Sequence, residues 1–399
     1  MYNTDTHTPR SEIDQRIEKL RNRLEENNIG AALLVQRADL LYFAGSVQEA
    51  HLYIPVDEEP IFMVFKSLDR AMAESSLSRI VPLASPKAVP ELLDQYGYKV
   101  PPVIGMELDV LPASLYFTYQ KVFEEKNLVD ISHLIRLVRA IKSVYEIDLM
   151  RRAAEGSDQV AACVPALLRE GMTELELAGK VEAEARKRGH QGTVRMRYWG
   201  AEVFYGHLMA GPSGAVPSFP RSPTGGSGAS PAVAQGPGFR PIQRHEPVLV
   251  DYVFALNGYY SDHTRIFSMG EPAAELMAAH AAMLDVQALI KKEAKPGVKS
   301  GDIYELAIER TRTLGYDKYF MGVGDKRIRF VGHGIGSELD EYPFLASGQT
   351  LELQENMIMA VEPKLVFPEK GVVGIENTHR VTENGLEQFG QYEDNIIVI

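Results

Sequence analysis

The sequence predicts an α/β amino-terminal domain followed by a larger α+β domain, and three observations support this prediction. The chain of 399 residues is too long for one ordinary hydrophobic core. Strand-like and helix-like segments alternate up to about residue 130, whereas longer helical patterns separate strand-like stretches in the second half. A capping-box pattern, Ser143-Val-Tyr-Glu146, predicts a new helix just beyond residue 140. We therefore predict domains over residues 1–140 and 141–399.

The first domain is predicted from a helix, a buried strand and further alternation. Ser11 can cap a helix whose apolar positions, from Ile13 to Leu24, follow helical spacing, and this pattern ends near Gly30. The segment "AALLVQ" then predicts a buried strand, and "ADLLYFAG" and "EPIFMVFK" predict further strands. Breaks that contain proline separate the remaining segments. This half therefore predicts a self-contained α/β domain.

The second half predicts a large α+β domain with one unusual segment. A second capping-box pattern, Thr173-Glu-Leu-Glu176, precedes a helix, and helical patterns recur near residues 272–294 and 301–314. From Gly211 to Arg240, eighteen of thirty residues are Gly, Pro or Ser. A flexible surface linker explains this composition, but loops this long inside a domain are more often functional. Its position directly before the strongest motif favours a loop over an active site.

The composition of the chain argues against several function classes. Hydrophobic residues at 45% and charged residues at 24% are typical of a soluble globular protein. A formal net charge of −12, without any dense basic run, argues against a nucleic-acid partner. No apolar run approaches the ~20 residues of a membrane-spanning helix, and no signal peptide is recognised. The single cysteine, Cys163, excludes an internal disulfide and a thiolate metal cluster, which suits a cytoplasmic protein.

Two aspartates in "VLVDYVFALNGYYSDHTRIF" form the strongest local pattern. Asn257-Gly258 predicts a two-residue hairpin turn between strand-forming residues. In that register Asp251 lies opposite Thr264, so Asp262 is a diagonal neighbour of Asp251 on the same face. Two solvated aspartates on an exposed hairpin are the alternative, but Asp251 follows "VLV" in a strand of buried type. A buried carboxylate without a partner is costly, so this pair predicts a functional site.

A second hairpin supplies two glutamates. The stretch "MIMAVEPKLVFPEKGVVGIENTHRV" predicts two strands joined by a turn around Pro368-Glu-Lys370, and an odd-numbered loop there sets Glu362 opposite Glu376. Four carboxylates on buried strands repel each other unless cations neutralise them, and two divalent ions would balance their charge. His333, in "VGHGIGSELDEYP", is the natural fifth ligand. By itself, an isolated histidine in a glycine-rich turn is more often structural.

The order and spacing of these residues resemble a known family. Asp251, Asp262 eleven residues later, "GHGIG" at His333, "VEP" at Glu362 and "IEN" at Glu376 resemble the pita-bread metallopeptidases. That family includes Xaa-Pro aminopeptidase, prolidase and methionine aminopeptidase, with creatinase as a metal-free relative. The segment "VRAIKSVYEIDLMRRAA" also resembles the inter-domain segment of the creatinase and prolidase branch. The resemblance implies a creatinase-like N-terminal α/β domain before an α+β pita-bread catalytic domain.

The resemblance also implies a dinuclear metal centre that hydrolyses C–N bonds. Asp251 and Glu376 would bridge two divalent ions, with Asp262 completing one ion and His333 with Glu362 completing the other. Manganese or cobalt is implied first, and zinc or iron are alternatives. A metal-activated water would attack a carbonyl carbon, and Glu362 would carry its proton to the leaving nitrogen. The implied substrates are short peptides with proline second, and the implied assembly is a homodimer.

Several positions depart from the peptidase pattern. Asp340 stands where the peptidases carry a second histidine, seven residues after the ligand histidine. For the histidine of the upstream loop the sequence offers Ser218, or Gln235 in another alignment, and neither is a histidine. His207 is a third candidate to reach the site, with a structural role as its alternative. We therefore predict substrate contacts at His207, Ser218 and Asp340.

These departures leave the substrate open while they leave the metal ligands intact. Gly374 replaces the usual arginine before the last glutamate, and Asn377 replaces the usual acid after it. The alternative to a peptidase is a small-molecule C–N hydrolase or lyase on the same scaffold, in the manner of creatinase. A binding protein without turnover is disfavoured by the intact ligands. A dinucleotide-binding loop at "GHGIGS" is disfavoured because the full glycine pattern and the βαβ context are missing.

Overall fold

The computed structural model describes residues 7–198 and 205–399, and these residues form two compact units. The first unit holds the described residues up to Arg139, together with Arg197 and Tyr198. The second unit holds residues 140–196 and the described residues from Tyr205 to Ile399. Within the described ranges, no helix has both the length and the apolar character needed to cross a bilayer.

The first unit is a six-stranded mixed sheet with helices on both faces. Its helices are α1 (Arg10–Glu26), α2 (Arg37–Ala44), α3 (Leu68–Glu74), α4 (Val89–Gln95), α5 (Ala113–Val122) and α6 (Ser132–Ala140). Its strands are β1 (Ala31–Leu34), β2 (Ala50–Pro55), β3 (Ile61–Val64), β4 (Ile80–Pro82), β5 (Val103–Met106) and β6 (Asn127–Asp130). The strand order is β4-β3-β2-β1-β5-β6. The pairs β1–β2 and β2–β3 are antiparallel, and the other neighbours are parallel.

Alternation along β1 divides the core of this unit between the two faces of the sheet. Ala32 packs in the cluster that contains Ile17 of α1, whereas Leu33 packs in the cluster that contains Leu93 of α4. A strand that is buried on both faces has a continuous apolar sequence. The buried strand predicted at "AALLVQ" is therefore confirmed, and β3 confirms the strand predicted at "EPIFMVFK".

The strand predicted at "ADLLYFAG" is wrong, because this segment forms the helix α2. The side chain of Gln36 accepts a hydrogen bond from the backbone N–H of Asp39 at the start of the helix. Gly45, with a φ of 76°, ends the helix in the left-handed region. Leu40 and Phe43, three residues apart, are both buried on one side. A short apolar run is compatible with either structure, and here the two ends decide for a helix.

The second unit is α+β, as the sequence predicts. Its helices are α7 (Val144–Ala161), α8 (Val164–Leu167), α9 (Glu174–Lys187), α10 (Ala274–Glu293) and α11 (Ser300–Thr313). Its first strands are β7 (Leu208–Ala210), β8 (Val248–Leu256), β9 (Tyr259–Ser268), β10 (Phe330–Gly334) and β11 (Glu341–Ala346). The remaining strands are β12 (Ile358–Val361), β13 (Lys364–Phe367), β14 (Gly371–Gly374), β15 (Asn377–Thr382), β16 (Gly385–Gln388) and β17 (Ile397–Val398).

Three sheets carry the strands of this unit. Their orders are β17-β9-β8-β7, β11-β10-β12-β15-β16 and β13-β14. Both predicted capping boxes are present, with Ser143 before α7 and Thr173 before α9. The helices α10 and α11 confirm the helical patterns near residues 272–294 and 301–314.

The segment from residue 211 to 240 is a loop with only short elements. A 3-10 helix covers Gly211–Ala215, and an isolated bridge joins Ser230 to Val233. The buried carboxylate of Glu174 accepts hydrogen bonds at both ends of the loop, from the backbone N–H of Ala210 and of Gly238, each at 2.9 Å. The loop is therefore anchored to the start of α9 rather than hanging free as a linker.

The hairpin of β8 and β9 forms with the predicted turn and register. Asn257 has a φ of 50° and Gly258 a φ of 85°, the left-handed values that a two-residue hairpin turn requires. Asp251 pairs with Thr264, and Val253 pairs with Asp262. The two aspartates are therefore diagonal neighbours on one face of the hairpin, as the turn predicts.

Substituting the turn glycine should weaken this hairpin. Gly258→Ala places a side chain at positive φ, which costs about 1–2 kcal/mol, and the free energy of unfolding in urea should fall by that amount. Gly179→Ala is the matched control, because Gly179 lies in α9 and an added Cβ there meets nothing within 4 Å. That control should be neutral or stabilising, since alanine favours a helix. Unchanged stability of Gly258→Ala would contradict the assigned turn.

Candidate metal centre

The β8–β9 hairpin brings its two aspartates next to the strand segment that carries Glu376. The hydroxyl of Thr264, which pairs with Asp251, donates to Oε2 of Glu376 at 2.9 Å. The backbone N–H of Thr264 also donates to the carbonyl oxygen of Glu376 at 3.2 Å. The side chain of Asp251 is 13% exposed, and Asp262 is buried. These hydrogen bonds tie one hairpin to the other at the predicted site.

Glu362 and Glu376 face each other across the second hairpin. Glu362 lies between β12 and β13, and Glu376 lies between β14 and β15. Val361 pairs with Asn377, one position away from both glutamates, and the same register continues through β13 and β14. The loop between the strands is odd-numbered, as predicted. Both glutamates are buried, so the hairpin presents two carboxylates to the interior.

His333 lies on β10 with its ring oriented as a ligand would be. Its Nδ1 lies 2.9 Å from the carbonyl oxygen of Leu339 and 3.1 Å from that of Gly334. A carbonyl oxygen only accepts hydrogen bonds, so Nδ1 carries the proton and Nε2 of the neutral ring keeps its lone pair. A backbone contact of this kind is the usual way in which a protein orients a metal-binding imidazole.

Three of the predicted ligands form one compact group. Nε2 of His333 lies 3.8 Å from Oδ2 of Asp262 and 3.9 Å from Oε1 of Glu376. One potential ligand atom from each of the three residues lies within 4.8 Å of the others. These separations are too long for hydrogen bonds but suit ligands that each lie about 2.0–2.2 Å from a common ion. Imidazole and carboxylate donors suit manganese, cobalt, iron or zinc, so these residues fit a divalent ion.

A lysine occupies the other side of the carboxylate cluster. The ammonium Nζ of Lys364 lies 2.9 Å from Oδ2 of Asp251, 2.8 Å from Oε2 of Glu362 and 2.7 Å from Oε2 of Glu376. Lys364 has no exposed surface. Each of its ammonium protons therefore has a carboxylate partner, which is the complete donor capacity of the group.

The pKa shifts in the cluster distinguish the side that contains Lys364 from the side that contains His333. Burial, followed by the negative charges of Glu376 and Asp251, raises the pKa of Asp262 well above its ordinary value. Burial also raises the pKa of Glu376 to about 8, against the opposing charge of Lys364. Burial alone would lower the pKa of Lys364, but the three carboxylates around it raise that pKa well above its ordinary value. Lys364 is therefore a permanent cation, while negative charge at Asp262 and Glu376 still lacks a full counterion.

This arrangement differs from the division of ligands that the resemblance implies. That division assigns Asp262 and His333 to different ions, whereas the structure places them in one group. It makes Asp251 a bridge between ions, whereas Asp251 here contacts the ammonium of Lys364. Sequence reasoning missed Lys364, although the pattern contained it. A residue two positions after Glu362 in an extended strand points to the same side as Glu362.

The acidic residues that follow His333 have separate partners. Oδ1 of Asp340 lies 3.7 Å from Nδ1 of His333, so this predicted substrate contact faces the side of the ring away from the other ligands. Burial lowers the pKa of His333, but negative charges, first that of Asp340, outweigh burial and raise it. Glu341 instead forms a buried ion pair with Lys142 at 3.0 Å and accepts the backbone N–H of Ser337 at 2.9 Å.

The other two predicted substrate contacts lie on or against the long loop. The carbonyl oxygen of His207 accepts the backbone N–H of Asp251 at 2.8 Å, and its Nδ1 lies 2.7 Å from Oγ1 of Thr224. His207 is buried, and burial lowers its pKa. The hydroxyl of Ser218 donates to the carbonyl oxygen of Ala234 within the loop. Ser218 also lines a cavity of about 310 Å³. Substrate contact by these side chains stays a prediction.

Comparison with known proteins decides the family. Residues 148–383, more than half of the chain, match the model of metallopeptidase family M24. The chain belongs to metallopeptidase family M24. Residues 16–141 of this M24 chain also match the creatinase/prolidase N-terminal domain. The predicted family and pita-bread fold class are thereby confirmed, and membership makes the protein a metallohydrolase.

Relatives of this M24 chain align over nearly its whole length. The Xaa-Pro dipeptidase of Pyrococcus furiosus is 26% identical over 386 residues, which covers 96% of this chain and 100% of the relative. The solved structure of an Xaa-Pro dipeptidase from Bacillus anthracis has a TM-score of 0.83 at 24% identity and covers 97% of this chain and 100% of its own. An X-Pro aminopeptidase from Thermotoga maritima has a TM-score of 0.80 at 24% identity and covers 96% and 99%. These structures support the fold.

The raised pKa of Glu376 predicts a pH-dependent stability of the metal-free protein. The folded protein keeps a proton up to about pH 8 that the unfolded chain releases near its ordinary pKa of 4.5. Stability from this group should therefore be lost as pH rises between these values, by an amount on the order of a few kcal/mol. Glu376→Gln should make the free energy of unfolding less dependent on pH over this range. The measurement is urea unfolding with a chelator present. Glu369→Gln, at an exposed turn position, is the control and should keep the wild-type slope.

Proposed function

We propose that this M24 chain hydrolyses the C–N bond of short peptides that carry proline in the second position. The observation that carries the proposal is the buried group of Asp262, His333 and Glu376, which fits a divalent ion directly beside the carboxylate of Glu362. The name of the Pyrococcus furiosus relative, Xaa-Pro dipeptidase, supports the substrate class. Residues 141–399 would form the catalytic domain, and residues 1–140 the creatinase-like domain.

The ligands predicted from the sequence are Asp251, Asp262, His333, Glu362 and Glu376, and we propose that Asp262, His333 and Glu376 among them hold the ion. Manganese or cobalt is the preferred metal, and zinc or iron are alternatives. When bound, a divalent ion supplies a water of lowered pKa and polarises the substrate carbonyl.

Glu362 is proposed to move the proton in this reaction. Its Oε2 accepts a hydrogen bond from Lys364 at 2.8 Å, so the carboxylate is held in one orientation and its Oε1 stays available to take a proton. Glu362 then passes that proton to the leaving nitrogen. Burial of Glu362 keeps bulk water away from this transfer.

Replacing the proposed proton carrier should abolish turnover without emptying the site. Glu362→Gln should lower kcat on Xaa-Pro dipeptides by about 10²–10⁴-fold, because the amide cannot accept the proton. Assays of manganese-, cobalt- and zinc-loaded protein, with metal content measured in parallel, check this result. Glu369→Gln, on the exposed turn of the same hairpin, should keep full activity. A Glu362→Gln variant with wild-type kcat would contradict the proposal.

A small-molecule C–N hydrolase or lyase is the second candidate, and the replacement of a histidine by Asp340 favours it. Where the resembling peptidases carry a second histidine, this chain has a carboxylate 3.7 Å from Nδ1 of His333. An added negative charge here favours a cationic substrate group over a neutral peptide bond. A substrate panel separates the candidates. Cleavage of Xaa-Pro peptides supports the first, and cleavage of small cationic amides or amidines without any peptide cleavage supports the second.

We further propose a cytoplasmic homodimer without a nucleic-acid or membrane partner. The single cysteine supports a reducing compartment, and the net charge of −12 argues against binding to a phosphate backbone. The proposal of a dimer rests on the resemblance to family members that form dimers. Sedimentation of the purified chain tests it, because a monomer at micromolar concentration would exclude the proposed assembly.

A further inference from the structure

Lys364 lies at the point where a second metal ion would have to bind. An ion shared by Asp251, Glu362 and Glu376 would sit between the three carboxylate oxygens that lie within 2.9 Å of Nζ. Metal–oxygen distances of about 2.0–2.2 Å to the same three oxygens would bring such an ion close to the ammonium. The ammonium and a divalent ion carry like charge, so they exclude each other at this place.

Lys364 is the first residue of β13, so its side chain reaches the carboxylates from within the sheet and not from the surface. Lys364 pairs directly with Gly374 across the β13–β14 ladder. A Cβ at position 374 would lie 2.7 Å from Cα and 3.1 Å from Cγ of Lys364, so the glycine makes the room that the lysine stem occupies. The carbonyl oxygen of Lys364 also accepts the backbone N–H of Met321 at 2.9 Å. The stem therefore has a fixed path into the cluster.

We infer that this chain binds one divalent ion per protomer, at Asp262, His333 and Glu376, and that the ammonium of Lys364 replaces the second ion. The two-ion centre expected from the sequence is thereby reduced to a mononuclear centre with a built-in cation. Asp251 becomes a partner of the lysine and not a metal ligand. The inference deepens the proposed function, because it concerns the same site, but its test does not require turnover.

Metal stoichiometry tests the inference directly. Purified protein freed of metal is dialysed against Mn²⁺, and the bound metal per chain is measured, together with the electron paramagnetic resonance spectrum. We expect one Mn²⁺ per chain and the hyperfine spectrum of an isolated ion, without spin coupling to a neighbour. Two ions per chain with a coupled spectrum would overturn the inference, and so would the absence of any bound ion.

Removing the ammonium should open the second position. Lys364→Met keeps the length of the stem but loses the charge, so bound Mn²⁺ should rise from one to two per chain and spin coupling should appear. Lys142→Met is the matched control, because Lys142 is also buried and paired with a carboxylate, Glu341, in a different cluster. The control should still bind one ion. A folded Lys364→Met variant that binds only one ion would overturn the inference.

Two aspartate variants keep the test decisive should Lys364→Met not fold. Asp262→Asn should weaken Mn²⁺ binding at least tenfold, because it removes a ligand of the single ion. Asp251→Asn should leave the affinity for the first Mn²⁺ within about twofold, since Asp251 serves the lysine. Loss of the ion in Asp251→Asn would restore the bridging role that the resemblance implies and overturn the inference.

The inference and the proposed function can fail separately. One bound ion without cleavage of Xaa-Pro peptides would leave the inference standing and move the function to the second candidate. Two bound ions with peptide cleavage would keep the proposed function and overturn the inference.

Discussion

The repulsion among four neighbouring carboxylates, three of them buried, is the constraint on which the catalytic unit depends. Two unit charges 4 Å apart in protein of effective dielectric constant ~20 interact by about 4 kcal/mol, so Asp251, Asp262, Glu362 and Glu376 cannot share the interior as anions without cations. Lys364 supplies one positive charge from within the chain. The group of Asp262, His333 and Glu376 fits a divalent ion, which would supply further positive charge. The chain therefore supplies one counterion itself and offers ligands for another.

Most of this site could be predicted because the number of residues in a hairpin turn fixes which residues of its strands pair. A two-residue turn fixes the register of β8 and β9, and an odd-numbered loop fixes that of β12 to β15. The diagonal placement of Asp251 and Asp262, and the facing of Glu362 and Glu376, follow from counting along the chain. The capping boxes at Ser143 and Thr173 also depend only on adjacent residues, and both are present at the predicted positions. Predictions succeeded wherever a few adjacent residues determine the structure.

Predictions failed where the two ends of a segment, or a partner that is distant in the sequence, decide the outcome. The run "ADLLYFAG" suits a strand or a helix, and its ends made it α2. Lysine is rarely buried, and only the convergence of three carboxylates from separate segments of the chain makes the burial of Lys364 favourable. The helix α2 is decided by residues at its own two ends, whereas the burial of Lys364 is a tertiary effect that no local pattern contains.

The glycine opposite Lys364 has a consequence for how the protein matures. By admitting the lysine stem, Gly374 gives the two hairpins an internal counterion that no chelator can remove and no metal shortage can deplete. Structural metal centres commonly make folding wait for the ion. In the proposed centre one of the two counterions is encoded in the polypeptide, so the hairpins can associate before the exchangeable ion binds. Folding of the catalytic unit and binding of the metal ion then become separate events.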